Sequence, residues 1–61
     1  MKPAIVLEDK NGDFVAVFVE NISCVASSKV LGTLIEMENG SVIETNEPFD
    51  NVIKMCENCY K

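Results

Sequence analysis

Apolar residues alternate with polar ones in several short runs of this chain and then recur at helical spacing near its C-terminus. Ala4–Leu7 is a short apolar run behind Pro3. Proline is tolerated at the first position of an edge strand, so this run reads as one. The polar stretch Glu8–Asp13 contains Asn11-Gly12 and reads as a hairpin loop. Phe14–Val19 follows, apolar at both alternating sets. Its β-branched and aromatic content predicts a strand rather than a helix. A strand apolar on both faces is normally covered on both. One helix covers one face, and a second subunit is the simplest cover for the other. That second face is read as Val15, Val17 and Val19, or their alternates Phe14, Ala16 and Phe18.

Glu20-Asn21 interrupts the apolar run. The pattern predicts a bend or bulge there, then a continued strand in which Ile22, Cys24 and Ala26 alternate with Ser23, Val25 and Ser27. Ser27–Gly32 reads as a loop with Val30 and Leu31 at its tip. These two either fold back on the core or contact a partner.

The stretch "EMENGSVIE", Glu36 to Glu44, carries a second hairpin signal at Asn39-Gly40. A two-residue loop would mix apolar and acidic residues on each face. A three-residue loop with Gly40 left-handed pairs Met37 with Ser41, Ile35 with Ile43 and Thr33 with Thr45. That register gathers Ile35, Met37 and Ile43 on one face, and burial selects it because a one-residue slip flips every side chain.

Phe49, Val52, Ile53, Cys56 and Tyr60 form one apolar stripe at helical period. Asn46 is placed to cap this helix and Pro48 to occupy its first turn. The stripe is expected to pack on the face bearing Ile35, Met37 and Ile43. The prediction is therefore one domain over residues 1–61, of α+β class: a small antiparallel sheet of about four strands with one C-terminal amphipathic helix.

Length bears on function. A chain of 61 residues buries only about 60% of the surface its unfolded form exposes. Disulfides, a metal or another subunit commonly supplement so small a core. Three cysteines cannot close into intramolecular pairs without a remainder. Free thiols point to the cytoplasm. No signal-peptide pattern and no membrane-length apolar run is visible.

The net charge is −5, with no Arg and no His. Without Arg or a basic face, direct nucleic-acid binding is not expected. Without His, the commonest acid–base group is missing, and no glycine-rich phosphate loop is present. Lys without Arg, together with six Asn, suggests an AT-rich bacterial or phage genome.

"CENC" places Cys56 and Cys59 in a Cys-x-x-Cys spacing. Redox pairs of this kind draw their low thiol pKa from a helix N-terminus, whereas this pair falls at a predicted helix end. One pair is half of a four-ligand zinc site, which a dimer would complete. The alternative is packing, with Cys56 on the apolar stripe and Cys59 at its rim. No cofactor or metal is assigned.

The order "KNGDFVAVFVENISCVAS" then "TLIEMENGSVIETNEPFDNVIKMC" resembles the small flagellar FlbD-like (SwrD-like) family. Carrying the resemblance are Asn11-Gly12 before Phe14-Val15, the spaced set Val19, Ile22 and Val25, Ile35 and Met37 before Asn39-Gly40, and Glu47 ahead of Val52-Ile53. The resemblance implies a cytoplasmic accessory protein affecting motility, with no enzyme activity to carry over. The residues themselves lead to a non-enzymatic protein-interaction module that self-associates. Its expected contact residues are Val15, Val17, Val19, Val30 and Leu31, with an unidentified protein as a further partner and no membrane. The alternative from a different class is an acidic inhibitor or nucleic-acid mimic that blocks a basic partner.

Overall fold

The computed structural model of the chain describes residues 2–30 and 32–59. Five strands and a helix follow in order: β1 Ala4–Glu8, β2 Phe14–Phe18, β3 Ile22–Ser28, β4 Gly32–Met37, β5 Val42–Thr45 and α1 Phe49–Asn58. The class is α+β, as expected. The strands are divided between two antiparallel sheets, β1-β2 and β3-β4-β5.

The division falls at a 3-10 turn, Val19–Asn21. Here the sequence pattern predicts a bend or bulge and then a continued strand. Val19 N donates to Pro3 O at 3.1 Å, closing the first ladder, and Glu38 N donates to Asn21 O at 2.8 Å, opening the second. The chain thus changes pairing partner within three residues. A bulge follows, since Ile22 pairs with Met37 and the next pair is Cys24 with Glu36. Ser23 is the extra residue, and it resets the alternation. Ile22 and Val25 therefore both pack on the core, while Cys24 and Ala26 are exposed.

The two sheets meet again at the far end. Asp9 bridges Thr45 in antiparallel fashion, and Lys10 N donates to Glu44 O at 3.0 Å. The β4–β5 hairpin has the three-residue register: Ile35 faces Ile43 and Thr33 faces Thr45. Met37 N donates to Ser41 O at 2.8 Å, and Gly40 takes a φ of 92°. That left-handed turn suits glycine because no Cβ opposes it.

Ile5, Leu7, Val17, Ile35 and Val52 are the buried apolar centre. Each such side chain contributes about 1.5–3 kcal/mol on burial, a large share of a small domain's stability. Thr33 and Thr45 are buried with them. Thr33 Oγ1 donates to Glu47 O at 2.7 Å; Thr45 Oγ1 donates to Glu8 O at 2.8 Å and accepts from Glu47 N at 3.1 Å. Two hydroxyls thus bond three backbone groups where the sheets and the helix lead-in meet.

The same bonds pin the lead-in to the helix. Asn46 does not cap it: α1 starts at Phe49, with Pro48 as N-cap and no side-chain cap bond. Val52 N instead donates to Pro48 O at 3.1 Å. The helix packs against β1, β3 and β4. Its core-facing seam is Val52, Met55, Cys56 and Cys59, rotated from the expected stripe so that Phe49 and Ile53 are half-buried at its flank. Tyr60 lies outside the described residues.

Candidate functional site

β2 shows which of its two apolar faces is turned outward. Val17 is buried, and Val15 and Val19 pack on the core. The expectation that these three form the contact face is therefore corrected. Val17 lies in the β2 ladder opposite Ile5, and both are core residues. The outward set is the alternate one, Phe14, Ala16 and Phe18.

The register of the first hairpin completes this face. Ala4 lies opposite Phe18, Val6 opposite Ala16, and Glu8 opposite Phe14. Phe14 is 76% exposed, Val6 59% and Phe18 46%. Ala4 and Ala16 are exposed between them. The face is thus apolar except for Glu8 at one end. An ion pair, Lys2 Nζ to Glu20 Oε1 at 3.0 Å, lies beyond its other end.

Val30 is 90% exposed at the β3–β4 turn, so it does not fold back on the core. Its backbone N donates to Ser28 Oγ at 3.3 Å. Leu31 lies outside the described residues. Among the described residues, Val42 on β5 is a further large exposed hydrophobe.

An open groove of 310 Å³ lies where the first hairpin loop meets β5, lined by Asp9, Lys10, Asn11, Val15, Val42, Ile43 and Glu44. Asp9, Lys10 and Glu44 in this lining already have partners. Asp9 Oδ1 accepts from Asn11 N at 2.9 Å and Asp13 N at 3.0 Å, which shapes the turn. Lys10 Nζ pairs with Glu44 Oε2, an oxygen shielded from solvent. The hydrogen bond and the charge of Glu44 raise the Lys10 pKa above its ordinary value of 10.5, with Asp9 adding to the shift.

The cysteines divide in a different way. Cys24 is exposed on β3, while Cys56 and Cys59 are half-buried. Cys59 Sγ lies 3.8 Å from Ala4 O. Burial pushes the Cys56 thiol above its ordinary 9.0, and Cys59 adds to the shift. Cys59, expected at the rim, is part of the seam on the core. Among the described residues, no group of three or more His, Cys, Asp or Glu side chains is arranged to hold a metal ion. No helix among them is long and apolar enough to cross a membrane.

Fold and surface together define a small α+β domain with one outward apolar sheet face and a ten-residue helix on its core side. No protein-family model, curated protein or solved structure matches the chain. The signal for the outward face was present in the sequence as the alternate set of β2. Choosing between the sets needed the register of β1.

Proposed function

We propose that this chain is a non-enzymatic protein-interaction module of the bacterial or phage cytoplasm, and that it self-associates through the outward face of its first hairpin. One observation carries the reading: Val6, Phe14 and Phe18 share one sheet face and are all exposed. Soluble monomers rarely leave such a patch open, and contiguous apolar faces are used for association. The polar chemistry supports a binding role over catalysis. The Asp9 carboxylate serves its own turn, Glu44 holds Lys10, and the Thr33 and Thr45 hydroxyls serve backbone carbonyls. The residues that carry the FlbD-like resemblance are turn glycines and core positions such as Val19, Ile22 and Val25, so they speak to fold.

Sedimentation and native mass spectrometry, at low and at high salt, test the proposal. The expected result is a dimer or larger assembly that persists or strengthens with salt, because apolar contact dominates and screening relieves repulsion between chains of net charge −5. A monomer at every concentration up to millimolar overturns it. Binding to a basic protein that disappears at high salt, without self-association, would support the acidic-mimic reading instead.

A further inference from the structure

We infer that two copies join edge to edge along β2, antiparallel about a two-fold axis at Ala16, making one continuous four-stranded sheet from two hairpins. This rests on the self-association proposed above and places the contact at the β2 edge, where Phe14 and Phe18 of the outward face meet those of the second copy side by side.

The first observation is the state of the β2 edge. β2 pairs with β1 on one side and with no other strand among the described residues. Asp9 N donates to Asp13 O at 2.8 Å and Val19 N to Pro3 O at 3.1 Å, so hydrogen-bonded pairs bracket the ladder at both ends. Antiparallel pairs alternate between bonded and non-bonded. Leu7/Val15 and Ile5/Val17 are then the bonded pairs within it. It follows that Phe14 and Ala16 turn their N–H and C=O groups, and Phe18 its N–H, to the outer edge.

The second observation is that the strand reads the same in both directions. Phe14-Val15-Ala16-Val17-Phe18 is a palindrome centred on Ala16. An isologous two-fold contact requires one surface that complements itself. In antiparallel pairing about Ala16, Phe14 faces Phe18 of the partner subunit and Ala16 faces Ala16 of the partner subunit. The two Ala16 residues then exchange both their hydrogen bonds, and each Phe14 carbonyl accepts from the N–H of Phe18 of the partner subunit, while both aromatic side chains lie side by side on the apolar face.

The third observation is the contrast with the β3 edge. Among the described residues β3 also has a strand on one side only, but it carries a bulge between Ile22 and Cys24 and presents exposed Ser23, Cys24 and Ser27. Bulges, charges and prolines guard edges against pairing. β2 has none of these, and no ionisable group lies within Phe14–Val19. Two copies of an acidic chain therefore meet there without placing like charges opposite each other in the strand.

Amide hydrogen exchange followed by NMR across a concentration series, on the full chain, tests the geometry. Val15 and Val17 amides should be protected at every concentration, because β1 holds them. Phe14, Ala16 and Phe18 amides should exchange freely when dilute, and those of Ala16 and Phe18 should slow by roughly tenfold or more where the dimer is populated. Ala16→Pro deletes an N–H with no bond inside the chain, a change edges tolerate, and should give a folded monomer. Ala16→Lys sets like charges against each other on the axis and should do the same if the proline variant fails to fold. A dimer whose Ala16 amide still exchanges freely, or one that survives both substitutions, overturns the edge pairing and leaves self-association standing. A monomer throughout overturns both.

Discussion

The Thr45 hydroxyl donates to the carbonyl oxygen of Glu8 at 2.8 Å, across a sequence separation of 37 residues. That bond ties the end of β1 to the end of β5, where the two sheets meet. The same hydroxyl oxygen accepts from Glu47 N. Thr45→Val keeps the shape but removes the donor to Glu8 O and the acceptor for Glu47 N, two part-buried bonds. Such losses cost about 1–3 kcal/mol each at most. The expected result in urea melts is a loss of about 2 kcal/mol. A loss within error of zero would mean that water replaces the hydroxyl and that the junction is open.

Gly32 and Gly40 should respond differently to alanine. Gly40 has φ 92° and open space where a Cβ would lie, whereas at Gly32, φ 103°, a Cβ would meet Thr45 O and Asn46 O at 3.0 Å. Gly40→Ala should cost about 1–2 kcal/mol from backbone conformation alone. Gly32→Ala should cost more than that, since the rigid backbone of the β5 end must move. Equal costs in parallel denaturant titrations would show that the β5 end yields freely.

The face assignment of β2 separates stability from association. Val17→Ala removes buried methyl groups and should destabilise the fold by about 1–3 kcal/mol. Phe14→Ser, at a position 76% exposed, should leave dilute-solution stability within about 0.5 kcal/mol. It should weaken self-association strongly, as read by sedimentation. The reverse pattern would put Val17 outside and Phe14 inside.

Thiol chemistry should distinguish the three cysteines. Cys24 is exposed, whereas Cys56 is half-buried with its pKa raised. Alkylation monitored by mass spectrometry should modify Cys24 first and Cys56 much later, with the Cys56 rate still climbing above pH 9.0, where an ordinary thiol levels off. The thiolate is the reacting form, and burial disfavours it. Faster alkylation at Cys56 than at Cys24 in neutral buffer would contradict its placement on the core seam.

The same shifts act against the fold at alkaline pH. Cys56 and Lys10 both have raised folded pKa values, so the fold favours the proton-bound form of each. Their contributions are complete below the ordinary values of 9.0 and 10.5. Each is lost as pH rises through the folded value. Melting temperature should fall on the alkaline side of about pH 9, and Cys56→Ala should remove part of that slope. An unchanged slope in the variant would assign the loss to other groups.

Local chemistry was enough to settle the hairpin at Asn39-Gly40. Its turn type and the need to bury Ile35 with Ile43 admit one register, and the fold adopts it. The helix and the α+β class were legible for the same reason: apolar period and turn residues act over a few positions. What tertiary structure alone decided lies where two local answers were equally apolar or where a distant group intervened. Both sets of β2 are apolar, and only pairing with Ile5 and Leu7 turned Val17 inward. The bulge at Ser23 reset the parity of β3, which no alternation rule anticipates because the extra residue is defined by its partner strand. Thr45, not Asn46, holds the helix lead-in, because its hydroxyl reaches Glu8 O and Glu47 N across the sheet junction, while the helix begins beyond Asn46 with Pro48 at its N-cap.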